Sequence, residues 1–193
     1  MFHVESTERC PRTPVLLFAL AEAGLPFEIE IRLDGYFEQN HREPGPRFDA
    51  GDGPRIGLSE LLDTVRTLPG LRSPSSDEAE RADGWFRRLE LVRGVMPRLA
   101  GAKRAGQEPA AADLAVVRAF TADLEASLEI GPWIGGDTFS SADIALSFVG
   151  FLSRVGLPLG PRTRQWLARV QTRPSWQQVV ERFPSAAGLA APA

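Results

Sequence analysis

The sequence predicts an α/β domain with a partly parallel sheet, followed by an all-helical domain. Residues 27–33 alternate apolar and charged side chains, which is typical of a strand with one buried face. Residues 11–23 are rich in helix formers and begin with a proline, and residues 2–5 form a short apolar-polar stretch. Two strands joined by a helix are expected to be parallel. Beyond residue 76 the apolar spacing becomes that of amphipathic helices.

The remainder of the first domain is predicted from turn residues and one helical repeat. Residues 47–50 and 54–57 are expected to form a hairpin around the Gly-Asp-Gly turn at 51–53. Residues 58–68 carry Leu and Val at helical spacing, and the Pro- and Ser-rich stretch 69–76 indicates a linker. The first domain is therefore assigned to residues 1–70.

Residues 77–185 are assigned to the helical domain, and residues 186–193 to a flexible tail. Two long amphipathic helices are predicted from apolar faces that comprise Trp85, Leu89, Val92, Met96 and Leu99, and then Val117, Phe120, Leu124 and Leu128. A third helix is expected to begin with a capping box of Ser140 and Asp143 and to run to Val155. Two shorter helices are expected at 161–172 and 175–183.

Composition excludes several classes of function. The chain has 193 residues, 43% of them apolar, and a formal net charge of −3 without a basic stripe, so no nucleic-acid partner is expected. A single cysteine rules out an internal disulfide. No stretch is long and apolar enough to span a membrane, and the N-terminus does not resemble a secretory signal, so a soluble cytoplasmic protein is expected. His3 and His41 have no second ligand at metal spacing, so no metal site is expected.

Four separated motifs, in order, resemble the glutathione transferase superfamily. They are STERCPRT at 6–13 with AGLPFE at 23–28, GPRF at 45–48 with its glycine turn, Leu-Ser at 58–59, and WIGGDTFSSADI at 133–144. The first is similar to the nucleophile turn of the cysteine-type classes, omega especially. The last is similar to the family's C-terminal folding signature. The resemblance implies a thioredoxin-like N-terminal domain and a helical C-terminal domain.

Cys10 is the candidate nucleophile. It lies at the start of a predicted helix, where the first amides lack intrahelical partners and the dipole end is positive, so the thiolate is favoured over the thiol. The flanking Arg9 and Arg12 would strengthen this effect. The resemblance implies that Cys10 either forms a mixed disulfide with glutathione or hydrogen-bonds the bound glutathione thiolate. Ser6 and Thr7 are hydroxyls that could act in its place, and a buried structural thiol is the remaining alternative.

The resemblance also implies a set of glutathione contacts. Gly45, Pro46 and Arg47 correspond to the family's cis-proline segment, in which the residue before the proline offers backbone groups to the cysteinyl part of glutathione. Ser59 corresponds to the serine that binds the γ-glutamyl carboxylate at a helix N-terminus. Leu58 stands where the family generally has an acidic residue.

Trp85, Phe86, Arg88 and Leu89 are candidates for the wall that meets the second substrate, although core packing is the commoner role for such residues. The sequence favours a glutathione transferase-like enzyme that conjugates, transfers a thiol to, or isomerises a small electrophile, with glutathione as co-substrate. One alternative is a noncatalytic or repurposed member that binds another ligand or a protein. Another is a member that binds a different small thiol or performs a cofactor-assisted isomerisation of a dedicated pathway intermediate. A homodimer is expected from the resemblance.

Overall fold

The computed structural model describes residues 1–8, 10–32, 46–72, 75–154 and 157–189. Its first part is a four-stranded sheet with two helices, in the chain order β1 (Phe2–Thr7), α1 (Thr13–Glu22), β2 (Phe27–Arg32), β3 (Arg47–Asp49), β4 (Pro54–Ile56) and α2 (Leu58–Thr67). The strand order is β2-β1-β3-β4.

The predicted β-α-β unit is confirmed. β1 and β2 pair in parallel, with Phe2 opposite Phe27 and Thr7 opposite Arg32, and β3 pairs antiparallel to both β1 and β4. β1 extends two residues further than expected. α1 begins at Thr13, not at the proline two residues earlier, because the preceding residues form a turn. The nucleophile motif therefore lies before the helix instead of in its first turn.

The hairpin turn is held by Asp49. Its carboxylate accepts hydrogen bonds from the amides of Gly51 at 2.6 Å and Gly53 at 3.2 Å. The Gly51 bond is the larger contribution to lowering the pKa of Asp49. Gly51 and Gly53 both have positive φ, of 101° and 121°, which glycine adopts most readily. The glycine turn seen in the sequence thus closes the β3–β4 hairpin.

The second part is helical. Its elements are α3 (Ser76–Arg93), α4 (Met96–Arg104), α5 (Ala111–Ser127), α6 (Ser141–Leu146), a 3₁₀ helix (Ser147–Gly150), α7 (Phe151–Arg154), α8 (Pro161–Gln171), α9 (Pro174–Arg182) and a final 3₁₀ helix (Pro184–Leu189).

Two helices that the apolar spacing predicts as continuous are interrupted. The first breaks at Gly94 and Val95, because Pro97 lacks an amide proton and its ring clashes with the carbonyl of the preceding turn. The helix predicted to run to Val155 ends at Leu146 and continues as 3₁₀. There the hydroxyl of Ser147 donates to the carbonyl of Ile144 at 2.7 Å, a local bond that competes with regular helix geometry.

The C-terminal residues are partly packed. The predicted tail began at residue 186, yet Ala186 is fully buried within the last 3₁₀ helix. Its amide donates to the carbonyl of Phe183 at 2.8 Å. This small side chain fits against the core, so the loose tail does not begin at this point, and residues 190–193 lie outside the described part of the chain.

α1 connects the two parts of the molecule. The ring of Phe18 is fully buried and meets Trp176 of α9 edge-on at 5.3 Å between centroids, and Phe139 at 5.9 Å. At the end of α1, Glu22 accepts hydrogen bonds from Arg173, directly before α9, and from Ser175 in its first turn. The α/β part and the helical part therefore share one apolar core.

Asp143 is a fully buried carboxylate in the first turn of α6. Its Oδ2 accepts from the amide of Ser140 at 2.9 Å, which forms the predicted capping box. Its Oδ1 accepts from the amide of Ile134 at 3.0 Å and from Nε1 of Trp166 at 2.8 Å. Removal from water is the largest effect on this group and raises the pKa of Asp143 to about 6, while these hydrogen bonds oppose the rise.

Candidate functional site

A cavity of about 190 Å³ lies where the two parts of the molecule meet. Its walls come from five α-helices, the 3₁₀ helix Ser147–Gly150 and the turn before α1. The residues that line it are almost all apolar: Pro11, Arg12, Val15, Leu58, Leu61, Leu62, Leu89, Val92, Met96, Pro97, Ala100, Ala145 and Phe148. Among these described lining residues, Arg12 alone is charged.

Exposure of the lining residues shows which side of the cavity is open. Leu61 and Ala145 are fully buried and form its floor. Pro11 and Pro97 are exposed, and Met96 is half-buried. The opening therefore lies between the turn after β1 and the start of α4. An apolar, partly enclosed cavity of this kind takes small molecules, with its few polar groups fixing their orientation.

Cys10 lies in the turn between β1 and α1, next to the cavity residues Pro11 and Arg12. Its amide donates to the carbonyl of Thr7 at 3.2 Å, and its side chain is half-buried. Because α1 begins at Thr13, Cys10 is three residues before the helix. The prediction that Cys10 lies directly at the start of the helix is corrected accordingly, because a turn separates the two.

The two hydroxyl candidates differ in access. Ser6 is fully buried, and its Oγ hydrogen-bonds Thr13 and donates to the carbonyl of Thr7 at 3.0 Å. Its hydroxyl is therefore engaged in hydrogen bonds within the protein at the end of β1. Thr7 is half-buried at the end of β1, close to Cys10 in the chain. Cys10 and Thr7 are the accessible candidates.

Leu58 and Ser59 begin α2 but face different spaces. Leu58 lines the apolar cavity. Ser59 is exposed and lines a groove of about 200 Å³ between α2 and α3, together with Arg66, Asp83 and Arg87 among others. The side chain predicted to hold the γ-glutamyl carboxylate therefore does not line the same space as the apolar residue before it.

The cis-proline segment is only partly described. Gly45 lies outside the described residues, and with it the geometry of the Gly45–Pro46 bond. Pro46 is buried directly before β3. Arg47 forms an ion pair with Glu5 of β1, with Nη1 and Oε1 3.1 Å apart, and does not line the cavity. The Arg47 side chain therefore contacts the neighbouring strand of the sheet.

The predicted substrate wall is divided among three surfaces. Only Leu89 lines the cavity. Phe86 is buried beside the groove that contains Ser59. Trp85 and Arg88 line a separate open groove against α5, where the Arg88 guanidinium lies 5.0 Å from the Trp85 ring centroid and Nε is 3.2 Å from Asp123 Oδ2. The expected arginine at the substrate is thus on another surface, and the cavity has Arg12 instead.

Sequence reasoning missed most of the cavity. The start of α4 forms one wall, and the proline inside the helical repeat is the signal for the break before it. Phe148 enters through a 3₁₀ helix that had no such signal. Within the described ranges there is no group of three or more potential metal ligands and no helix long and apolar enough to cross a bilayer.

No protein-family model and no curated protein sequence matches this chain. Solved structures do. A glutathione S-transferase from Actinobacillus pleuropneumoniae is similar with a TM-score of 0.75 at 18% identity, covering 100% of this chain and 97% of that chain. A theta class glutathione S-transferase from Xanthomonas axonopodis pv. citri, with glutathione bound, has a TM-score of 0.73 at 22% identity and covers 93% and 96%. A glutathione transferase from Methylococcus capsulatus has a TM-score of 0.72 at 23% identity and covers 95% and 99%. The chain therefore has the glutathione transferase fold, with a thioredoxin-like α/β domain followed by an all-helical domain.

Proposed function

We propose that this protein is a glutathione-dependent transferase acting on a small apolar electrophile. The observation that carries the proposal is the position of the apolar cavity beside the turn that contains Cys10. A substrate in the cavity would contact Pro11 and Arg12, the two residues that follow the cysteine. Glutathione is carried over as the co-substrate from the Xanthomonas structure, whose fold is similar and which has glutathione bound.

Two reactions fit this arrangement. In conjugation, the sulfur of glutathione forms a bond to the electrophilic carbon, the leaving group departs with its electron pair, and the thiol proton passes to solvent. In thiol transfer, the Cys10 thiolate attacks a glutathione mixed disulfide. One S–S bond forms as another breaks, and the released thiolate takes up a proton. A free glutathione thiolate then attacks the disulfide between Cys10 and glutathione, which releases the Cys10 thiolate and forms oxidised glutathione. Binding both partners side by side is the protein's main contribution to either rate.

Variants at the turn distinguish these reactions. Cys10→Ser should abolish thiol transfer, because a hydroxyl cannot form the mixed disulfide. It should lower conjugation of dinitrochlorobenzene by about tenfold or more if the thiol hydrogen-bonds the glutathione sulfur. Thr7→Val is the matched control at the neighbouring accessible hydroxyl. Conjugation that survives Cys10→Ser but is lost in Thr7→Val would move the activating role to Thr7. Full activity of both variants would contradict a role for this turn.

A noncatalytic binding protein is the second candidate, and the arrangement of Leu58 and Ser59 favours it. An apolar residue lines the cavity where the family generally has an acid, and Ser59 faces the groove between α2 and α3. Calorimetry with glutathione tests this alternative. Micromolar to millimolar binding that weakens in Ser59→Ala supports the transferase. Absence of binding to the wild-type protein, together with binding of an apolar probe, supports the repurposed member.

A further inference from the structure

The outer wall of the cavity is a short helix with little apolar anchoring. Met96, Pro97 and Ala100 of α4 line the cavity, while Leu99 is the only side chain that α4 buries fully. α4 is separated from α3 by the break at Gly94 and ends before Gly106, which has a φ of 64°. The apolar anchoring of this wall is therefore limited to Leu99 and the half-buried Met96, and polar contacts add to it.

A polar clamp joins α4 to α5. Arg98 Nε donates to Oδ2 of Asp113 at 2.9 Å, and Nη2 donates to Oδ1 at 2.6 Å, so the pair is bidentate. Nη1 of the same guanidinium donates to the carbonyl of Gly94 at 2.5 Å, which ties the clamp to the break. The Asp113 side chain is 12% exposed, and the hydrogen bonds from Arg98 lower the pKa of Asp113. Arg98 thus connects the helix break, the cavity wall and α5.

We propose that the ion pair Arg98–Asp113 sets the size of ligand that the cavity accepts, because it holds α4 in place. With α4 held, the cavity accepts compact apolar molecules of one ring with a short substituent. This inference rests on the proposed use of the cavity as the substrate site. Arg98 and Asp113 are positioning residues, since neither lines the cavity.

The ligand class follows from the volume and chemistry of the cavity. A buried apolar cavity of about 150 Å³ binds benzene in another protein. At about 190 Å³, this cavity has room for one ring and a few more atoms. The side chains that line it are apolar except that of Arg12, so it favours ligands with little polar surface. Met96, at the open side, has the flexible side chain that adapts most readily to different shapes.

The experiment is a binding series of alkylbenzenes of increasing chain length, measured by calorimetry without glutathione. In the wild-type protein, affinity should rise with chain length and then stop rising once the cavity is full. In Asp113→Asn and in Arg98→Gln, the rise should continue for one or two further members at about fourfold per methylene, because α4 can yield. Arg98→Gln removes the ion pair but keeps the Asp113 carboxylate in the first turn of α5. The effect of the ion pair is therefore measured without any change in the effect of that charge on the helix.

Asp123→Asn is the matched control. It breaks the pair Arg88–Asp123, which joins α3 to the same helix α5 on a surface away from the cavity. The affinity of this variant for alkylbenzenes should stop rising at the same chain length as that of the wild type. Three results would overturn the proposal. The variants of Arg98 and Asp113 could bind every ligand equally more weakly, or their affinity could stop rising at the same chain length as in the wild type. Asp123→Asn could also show the same extension to longer chains. Failure of glutathione conjugation alone would leave it standing, because the series contains no glutathione.

Discussion

The buried carboxylate of Asp143 makes stability depend on pH in an unusual direction. The pKa of this group is about 6 in the folded protein, compared with 3.8 for the unfolded chain. The folded state therefore binds the proton more tightly, and the contribution of this group to stability is full below the unfolded value. It is lost as pH rises through the folded value. A difference of about two units corresponds to about 3 kcal/mol.

Asp143→Asn removes this titration while nearly preserving shape. The amide retains an acceptor for Ile134 and Trp166, but its NH₂ group meets the amide of Ser140, which costs about 1–3 kcal/mol at every pH. The stability advantage of the wild type over the variant should therefore be largest below pH 3.8. Between pH 4 and pH 7 it should shrink by about 2 kcal/mol. Other carboxylates titrate in both proteins and cancel in the difference.

Urea unfolding of both proteins across this pH range measures the difference directly. An advantage that stays constant would mean that the carboxyl does not titrate in the folded protein over this range. An advantage that grows with pH would mean that the four donated hydrogen bonds stabilise the ionised form more than burial destabilises it. Either result would refute the reasoning.

The remaining predictions concern packing. Gly160→Ala should lower stability by about 1–3 kcal/mol, because a Cβ at this position would overlap the Glu125 carboxylate. Gly101→Ala should raise stability by about 0.5–1 kcal/mol, because its Cβ would meet no atom within 4 Å and the position is helical. Thermal unfolding measures both variants, and equal effects would contradict the overlap at Gly160. Leu89→Ala should cost about 2–5 kcal/mol and enlarge the cavity, so longer alkylbenzenes should bind. Unchanged selectivity would show that the site collapses around the smaller residue.

Local signals in the sequence predicted the elements well. The strand β2, the Gly-Asp-Gly turn of the β3–β4 hairpin and the capping box of Ser140 and Asp143 are confirmed, because each depends on residues adjacent in the chain. The expected buried face of β2 is confirmed only in part, since Phe27 is buried but Ile31 is 48% exposed. The break at Pro97 carried a signal too, but the apolar repeat on both sides of it favoured one helix. Periodicity alone does not locate the end of one helix and the start of the next.

The candidate site could be predicted only at single positions. Leu58 was identified as a departure from the family pattern, and the structure adds that its side chain lines an apolar cavity. The cavity itself combines α1, α2, α3, α4 and the end of α6, which are brought together only by tertiary packing. Arg12 was assigned to activating the thiol, and nothing in its sequence context indicated that it also lines this space. Arg88 is expected from the sequence to lie at the substrate, but it stacks on Trp85 and lines a different groove.

The packing of Phe18 has a consequence for how the molecule unfolds. This ring belongs to the α/β domain by sequence, yet its neighbours Phe139 and Trp176 belong to the helical domain. Separating the two domains would expose that cluster and break the bonds of Glu22 to Arg173. The boundary near residue 70 therefore separates two kinds of architecture. It does not separate two cooperative unfolding units, because neither half has a complete core without the other.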